Sequence, residues 1–210
     1  MKKYLGGVNG AIKENKGIFL CILLFFLIGL VLGSYTVFYM SEVDKKELSS
    51  YYTNFIGVLK NNPINYTGII WDSIKNNLIF IVIIILLGFT IIGTPFILIM
   101  DLIKGYIIGF TFSMLVAIMG NKGILMAFIA LVPQNIVFII CVFVSSIIAL
   151  KYSIIRLKTK VSQKADISSK FSKEYINSYI FIIIMLVFGI LIETYISPNL
   201  IRLVITKMIS

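Results

Sequence analysis

Histidine is absent from this 210-residue sequence, and charged residues make up only 13% of it. Without histidine the chain lacks the usual general base and the commonest zinc ligand, which counts against a metalloprotease or a histidine-dependent hydrolase. Soluble domains carry about 25% charged residues. Half of that charge is too little to cover a globule in water, so most of the surface must face lipid.

Cysteine is also scarce, and recognisable catalytic motifs are missing. The two cysteines, Cys21 and Cys141, lie within apolar segments, where we expect them to pack as small buried hydrophobes. They form no CxxC pair and offer no disulfide framework. The sequence contains no Walker A loop, no GxSxG and no HExxH motif. We therefore expect a protein that is not an enzyme and that needs no metal or cofactor.

Long apolar runs dominate what is present, with 59% hydrophobic residues and a mean hydropathy of +1.01. The first run, 17–40, has no charge and is longer than the apolar core of a cleaved signal peptide. It is long enough to cross a bilayer, which takes about 20 residues. The run 78–150 contains only three charged residues, Asp101, Lys104 and Lys122.

The positive charges gather outside these runs and predict the orientation of the chain. Four lysines precede the first run within 1–17, and 151–173 holds seven basic residues against the single acid Asp166. Such segments face the cytoplasm in multi-pass proteins, which places the loop 41–77 outside and requires an odd number of crossings between 78 and 150. No basic face alternates with aromatic residues, so a nucleic-acid partner is not expected.

We therefore predict an all-α, polytopic transmembrane helical bundle, a single integral membrane domain over 1–210. Its N-terminus is cytoplasmic and its C-terminus is outside. The helices are predicted to be broken or kinked near Pro95 and Pro133. The five predicted spans are 17–40, 78–99, 103–119, 124–150 and 178–196.

The outer loop 41–77 contains a helical pattern of its own. The segment from Glu47 to Lys60 has a loose apolar stripe at helical spacing. This helix can lie on the bilayer surface, dock on a partner or pack on its own bundle, and the sequence leaves all three open. Trp71 is predicted to mark the water boundary of the next span.

Polar residues interrupt the apolar runs at three places, of which Gly93-Thr94-Pro95 is the first. A proline within a span frees backbone groups that need another partner in lipid. One interpretation is a broken helix that lines a polar site. The other is a kink near the cytoplasmic end, with Asp101 and Lys104 forming an i, i+3 ion pair at the water interface.

The second interruption, Pro133-Gln134-Asn135, lies in the middle of an apolar run. Two amides at membrane depth are costly unless they are buried against protein or water. They either line a polar or re-entrant site or satisfy the carbonyl groups of their own kinked helix.

The third interruption is Glu193, which we expect near the outer end of the last span as an interfacial, site-lining or partner-facing acid. Two small-xxx-small pairs, Gly105 with Gly109 and Gly29 with Gly33, predict close helix contacts.

Taken together, these blocks resemble the stage II sporulation protein M family. The resemblance rests on GTP–x5–D–x2–KG–x3–GF, a GNKG turn, LVPQN and ETYISP in that order, and it covers nearly the whole chain. The residues proposed as the structural and functional motif are Gly93, Pro95, Asp101, Lys104, Gly105, Gly109, Pro133, Gln134, Asn135 and Glu193.

The resemblance implies a role in sporulation, when the engulfing membrane migrates around the forespore from the septum. It implies a non-catalytic scaffold in the cell membrane that anchors two peptidoglycan-degrading partners, stage II sporulation proteins D and P. A homo-oligomer is also compatible with this interpretation. The competing hypothesis is a small-solute or ion transporter or channel subunit, because interrupted helices are typical of transporter sites.

Overall fold

The structure, a computed structural model, describes residues 15–161 and 168–209, which are almost entirely helical and contain no strand. Lys2, Lys3 and Lys13 of the predicted N-terminal segment, and Lys164 of the basic loop, lie outside the described residues. Two short π-helical turns, named π1 and π2, interrupt the helices. The elements are α1 (Lys16–Phe38), α2 (Glu42–Asn61), α3 (Tyr66–Ser73), π1 (Ile74–Leu78), α4 (Ile79–Gly88), α5 (Gly93–Met119), α6 (Asn121–Val161), α7 (Ser168–Leu191), π2 (Ile192–Ile196) and α8 (Ser197–Ile209).

Five helical segments in the described part of the chain are long and apolar enough to cross a membrane. This confirms the predicted all-α bundle and the number of spans. The five segments are Lys16–Phe38, Tyr66–Gly88, Gly93–Met119, Asn121–Leu157 and Tyr179–Thr206.

The second and third spans differ from the prediction. The second span begins at Tyr66 and ends at Gly88, so residues 66–77 belong to it and the loop is shorter than 41–77. The polar residues within 66–77 are the reason that the sequence predicts this segment to lie in water. Two of them, Ser73 and Asn77, are instead buried against other helices, which allows the segment to continue into the span.

The predicted break near Pro95 separates two spans instead of interrupting one. The chain turns at 89–92, and α5 begins at Gly93, so that Pro95 is the third residue of a helix. The first N–H groups of a helix have no intrahelical acceptor, so proline removes no hydrogen bond here. Helix α6 supports the turn: Ser153 Oγ donates to the carbonyl of Thr90 and Arg156 Nη1 to that of Phe89, both at 2.9 Å.

Helices α1 and α5 make the most extensive contact of the described bundle. A methyl group added at Gly29 or Gly33 would overlap a carbonyl oxygen of α5, and one at Gly105 or Gly109 would overlap a carbonyl oxygen of α1. Both predicted glycine pairs therefore face each other across one interface, where their missing side chains allow the two backbones to touch.

Helix α2 packs across one end of the bundle, called here the α2 end. Its N-cap Ser41 accepts a hydrogen bond from the backbone N–H of Asp44 at 3.2 Å. Tyr52 is buried against the core cluster that contains Leu115 and Ala127, near the turn between α5 and α6, where Gly120 adopts a φ of +57°. Packing on its own bundle is thus one role of α2. Its neighbours Tyr51 and Phe55 are 72% and 44% exposed.

Candidate functional site

Glu193 lies inside the bundle, in π2, close to the middle of the span Tyr179–Thr206. The expectation that it lies near the outer end of its span is therefore wrong. Its Oε2 accepts hydrogen bonds from the hydroxyl of Ser73 and from Nδ2 of Asn77, the latter at 3.2 Å. These bonds attach the last span to the second.

Asn77 lies in π1 at the centre of the span Tyr66–Gly88 and is 7% exposed. Its Nδ2 also donates to the carbonyl oxygen of Ser73, one turn earlier, at 3.2 Å. Its Oδ1 accepts from the Nζ of Lys104 at 3.3 Å. One amide thus contacts a carboxylate on one side and an ammonium group on the other.

Lys104 enters the site from α5 and completes what we call the polar cluster: Ser73, Asn77, Lys104 and Glu193. Its Nζ lies 5.6 Å from the ring centroid of Phe80 and 5.7 Å from that of Phe138, within the range of cation–π attraction. Burying one charge without the other would be costly in lipid. Here a carboxylate, an ammonium group and two neutral polar groups come from three different spans.

Both π-helical turns contribute residues to the polar cluster. Asn77 lies in π1 and Glu193 in π2. Isolated π turns inside α-helices are uncommon and occur frequently at functional sites. The rings of Tyr66 and Tyr195, whose centroids are 5.4 Å apart, stack between the same two spans. The turns π1 and π2 therefore face one another, and each contributes a polar side chain to the polar cluster.

Asp101 does not belong to the polar cluster, although it is on the same helix as Lys104. It is fully buried and its Oδ1 accepts a hydrogen bond from Ser146 Oγ at 2.7 Å. Its Oδ2 has no partner among the described residues. The alternative in which Asp101 and Lys104 form an ion pair is therefore wrong, since Asp101 turns toward α6 and Lys104 toward the second span.

Pro133, Gln134 and Asn135 lie within the continuous helix α6 and are each half-buried. Asn135 Nδ2 donates to the carbonyl oxygen of Leu131 at 2.9 Å. This bond stays within α6, but the carbonyl group that Pro133 frees is that of Ile129, four residues before the proline. Among the described residues, none of the three hydrogen-bonds to the polar cluster.

Of the residues proposed from the sequence, the structure brings only Lys104 and Glu193 into one site. Gly93 and Pro95 lie in the first turn of α5, and Gly105 and Gly109 form the contact with α1. Ser73 and Asn77 were missed because they were assigned to the outer loop. Their i, i+4 spacing, continuous with the apolar run from Leu78, is the signal that places them on one helix face.

The chemistry of this site is that of a lysine and a glutamate that are joined through the amide of Asn77. Within the described ranges, no group of three or more histidine, cysteine, aspartate or glutamate side chains lies close enough to hold a metal ion. The hydrogen bonds among its four side chains join three spans to one another.

Comparison with known proteins gives one match. The family model described as Stage II sporulation protein M matches residues 22–198. No curated protein and no solved structure matches the chain. The matched range contains the polar cluster, both π turns and the glycine contact between α1 and α5.

Proposed function

Because the chain belongs to the stage II sporulation protein M family and is a multi-pass sporulation membrane protein, we propose that it is a non-catalytic scaffold. In this role it anchors peptidoglycan-degrading partners, stage II sporulation proteins D and P, in the septal and engulfing membranes. The partners perform the hydrolysis outside the membrane, and the scaffold holds them at its surface.

The observation that carries this proposal is the exposed apolar flank of α2. Tyr51, Phe55 and Val58 are 72%, 44% and 56% exposed and follow one another at helical spacing. The buried Tyr52 fixes α2 on the bundle, so this flank is presented in a defined position. Large aromatic side chains on a rigid element are the groups that dominate protein interfaces.

The orientation of the chain favours the same role. The positive-inside bias places 151–173 in the cytoplasm, and the turn 89–92 contacts α6 near that segment through Arg156. Helix α2 lies at the other end of the bundle and is therefore on the outer side, where peptidoglycan is located.

Co-purification from detergent tests this proposal. We expect Tyr51→Ser with Phe55→Ser to lower the recovery of both partners at least about tenfold, as for the loss of interface anchors. The matched control is Lys46→Ala with Thr53→Ala, on the opposite, polar flank of α2, which should leave recovery unchanged. Equal recovery with both double variants would overturn docking through α2.

The polar cluster favours a second candidate, transport of a small polar solute or ion. Ionisable residues at mid-span and irregular helical turns are typical of transporter sites. In this case Glu193→Gln should abolish function in sporulation while partner recovery stays unchanged, and the reconstituted protein should move a solute that this variant does not move. A variant that keeps sporulation at the normal level would exclude this candidate.

A further inference from the structure

The second span presents a charged face to the outside of the bundle. Asp72, Lys75 and Asn76 are exposed, whereas Ser73 and Asn77 beside them are buried. At about 1.5 Å per residue, Asn76 and Asp72 lie about 18 and 24 Å from Gly88 along the helix. With Gly88 placed at one edge of a hydrocarbon layer of about 30 Å, both distances fall within the layer, in its half nearer the α2 end.

The charges of this face have no ion-pair partner among the residues that the structure describes. Neither Asp72 nor Lys75 forms an ion pair with any described residue. Unpaired charges that face lipid are energetically unfavourable. We therefore expect another protein segment to pack on this face and to supply the opposite charges.

The charges of this face are complementary to those of the same face on a second copy of the chain. Asp72 and Lys75 carry opposite charges one turn apart, and Asn76 can donate and accept at once. The exposed stripe continues through Ile79, Val82 and Leu86, which are 55%, 40% and 59% exposed. The spacing of three and four residues is that of a helix–helix seam.

We propose that this face is the contact between two copies of the chain, related by a two-fold axis parallel to the second span. Such a contact is isologous, so every pairing occurs twice. Asp72 of each copy meets Lys75 of the other, and the two Asn76 amides meet near the axis. All four charges are then paired, and the apolar part of the stripe extends the seam away from the α2 end.

Charge-reversal variants distinguish a contact between two copies of the chain from a contact with a different protein. The dimer fraction of the full-length chain is measured in liposomes by single-molecule photobleaching over a dilution series. We expect Asp72→Lys and Lys75→Asp, each alone, to weaken dimerisation roughly ten- to a hundredfold. The double variant exchanges the two charges and should restore the wild-type dimer fraction. Mixing the two single variants should give heterodimers in preference to homodimers.

Disulfide cross-linking gives an independent measurement. In a background of Cys21→Ala and Cys141→Ala, Asn76→Cys should form a dimer on oxidation in the membrane. Ile28→Cys, at a 42% exposed position of the first span, is the control and should not. Gel filtration and thermal unfolding of each variant confirm that it is folded.

Three results would overturn the proposal. They are a wild-type chain that stays monomeric at every dilution, a double variant that dimerises no better than the single ones, and a cross-link that forms only to a different protein. The last result would mean that the transmembrane helix of a partner covers this face.

Discussion

Lys104 and Glu193 bind the same side chain, Asn77, whose amide oxygen and nitrogen lie 3.3 and 3.2 Å from the ammonium nitrogen and the carboxylate oxygen. The two charges come from the third and fifth spans, and the amide between them comes from the second. The arrangement holds three helices together at the middle of the bundle. Its stability therefore depends on all three groups at once.

Removing one charge of this pair should destabilise the bundle more than removing both. Lys104→Met leaves Glu193 without its counter-charge, and we expect a loss of about 1–3 kcal/mol, below the range for fully buried pairs because both groups are half-buried. Adding Glu193→Gln, which keeps an acceptor for Ser73 and Asn77, should recover part of that loss. Thermal unfolding in detergent measures both variants, and strictly additive effects would contradict the pairing.

The contact between α1 and α5 should tolerate no side chain at its glycines. Gly33→Ala and Gly109→Ala each place a methyl group on a carbonyl oxygen of the facing helix, so we expect a loss of about 1–3 kcal/mol or more from overpacking. The control is Gly17→Ala, since a Cβ there meets nothing within 4 Å. Equal unfolding temperatures for Gly17→Ala and Gly109→Ala would refute the close approach of the helices.

Asp101 should depend on the hydroxyl of Ser146. Ser146→Ala leaves the buried Oδ1 without its donor, and we expect a loss of about 1–3 kcal/mol. Asp101→Asn keeps the shape and the acceptor for Ser146 but removes the carboxyl group, so its effect should be smaller than that of Ser146→Ala. Unfolding of the two variants in the same detergent gives the comparison, and the reverse order would contradict it.

Cysteine labelling should place the two ends of the bundle on opposite sides of the membrane. In the background without Cys21 and Cys141, Thr53→Cys should react with an impermeant reagent from outside. Leu157→Cys should react only after the membrane is permeabilised. Ser73→Cys should react in neither case, because it lies buried in a span. Labelling of residues 53 and 157 from the same side would overturn the five-span topology.

The polar cluster could be predicted from the sequence only in part. Lys104 and Glu193 stand out because each is an ionisable residue in an apolar run. Nothing in their positions indicates that they approach the same amide. Asn77 follows lysine and asparagine in the sequence, and such a run normally lies in water. Its burial depends on partners from two other spans, which single-sequence hydropathy does not take into account.

Composition and charge by themselves determined that this chain is a five-span helical membrane protein, because lipid requires long apolar helices and admits few charges. The glycine spacings also predicted a close helix contact on each of α1 and α5, since that signal is local to each helix, but only the structure pairs the two helices with each other. Only the tertiary structure decided that Asp101 binds Ser146 and that Lys104 shares Asn77 with Glu193. Those contacts join residues far apart in the chain, and the packing of the spans alone fixes which of them meet.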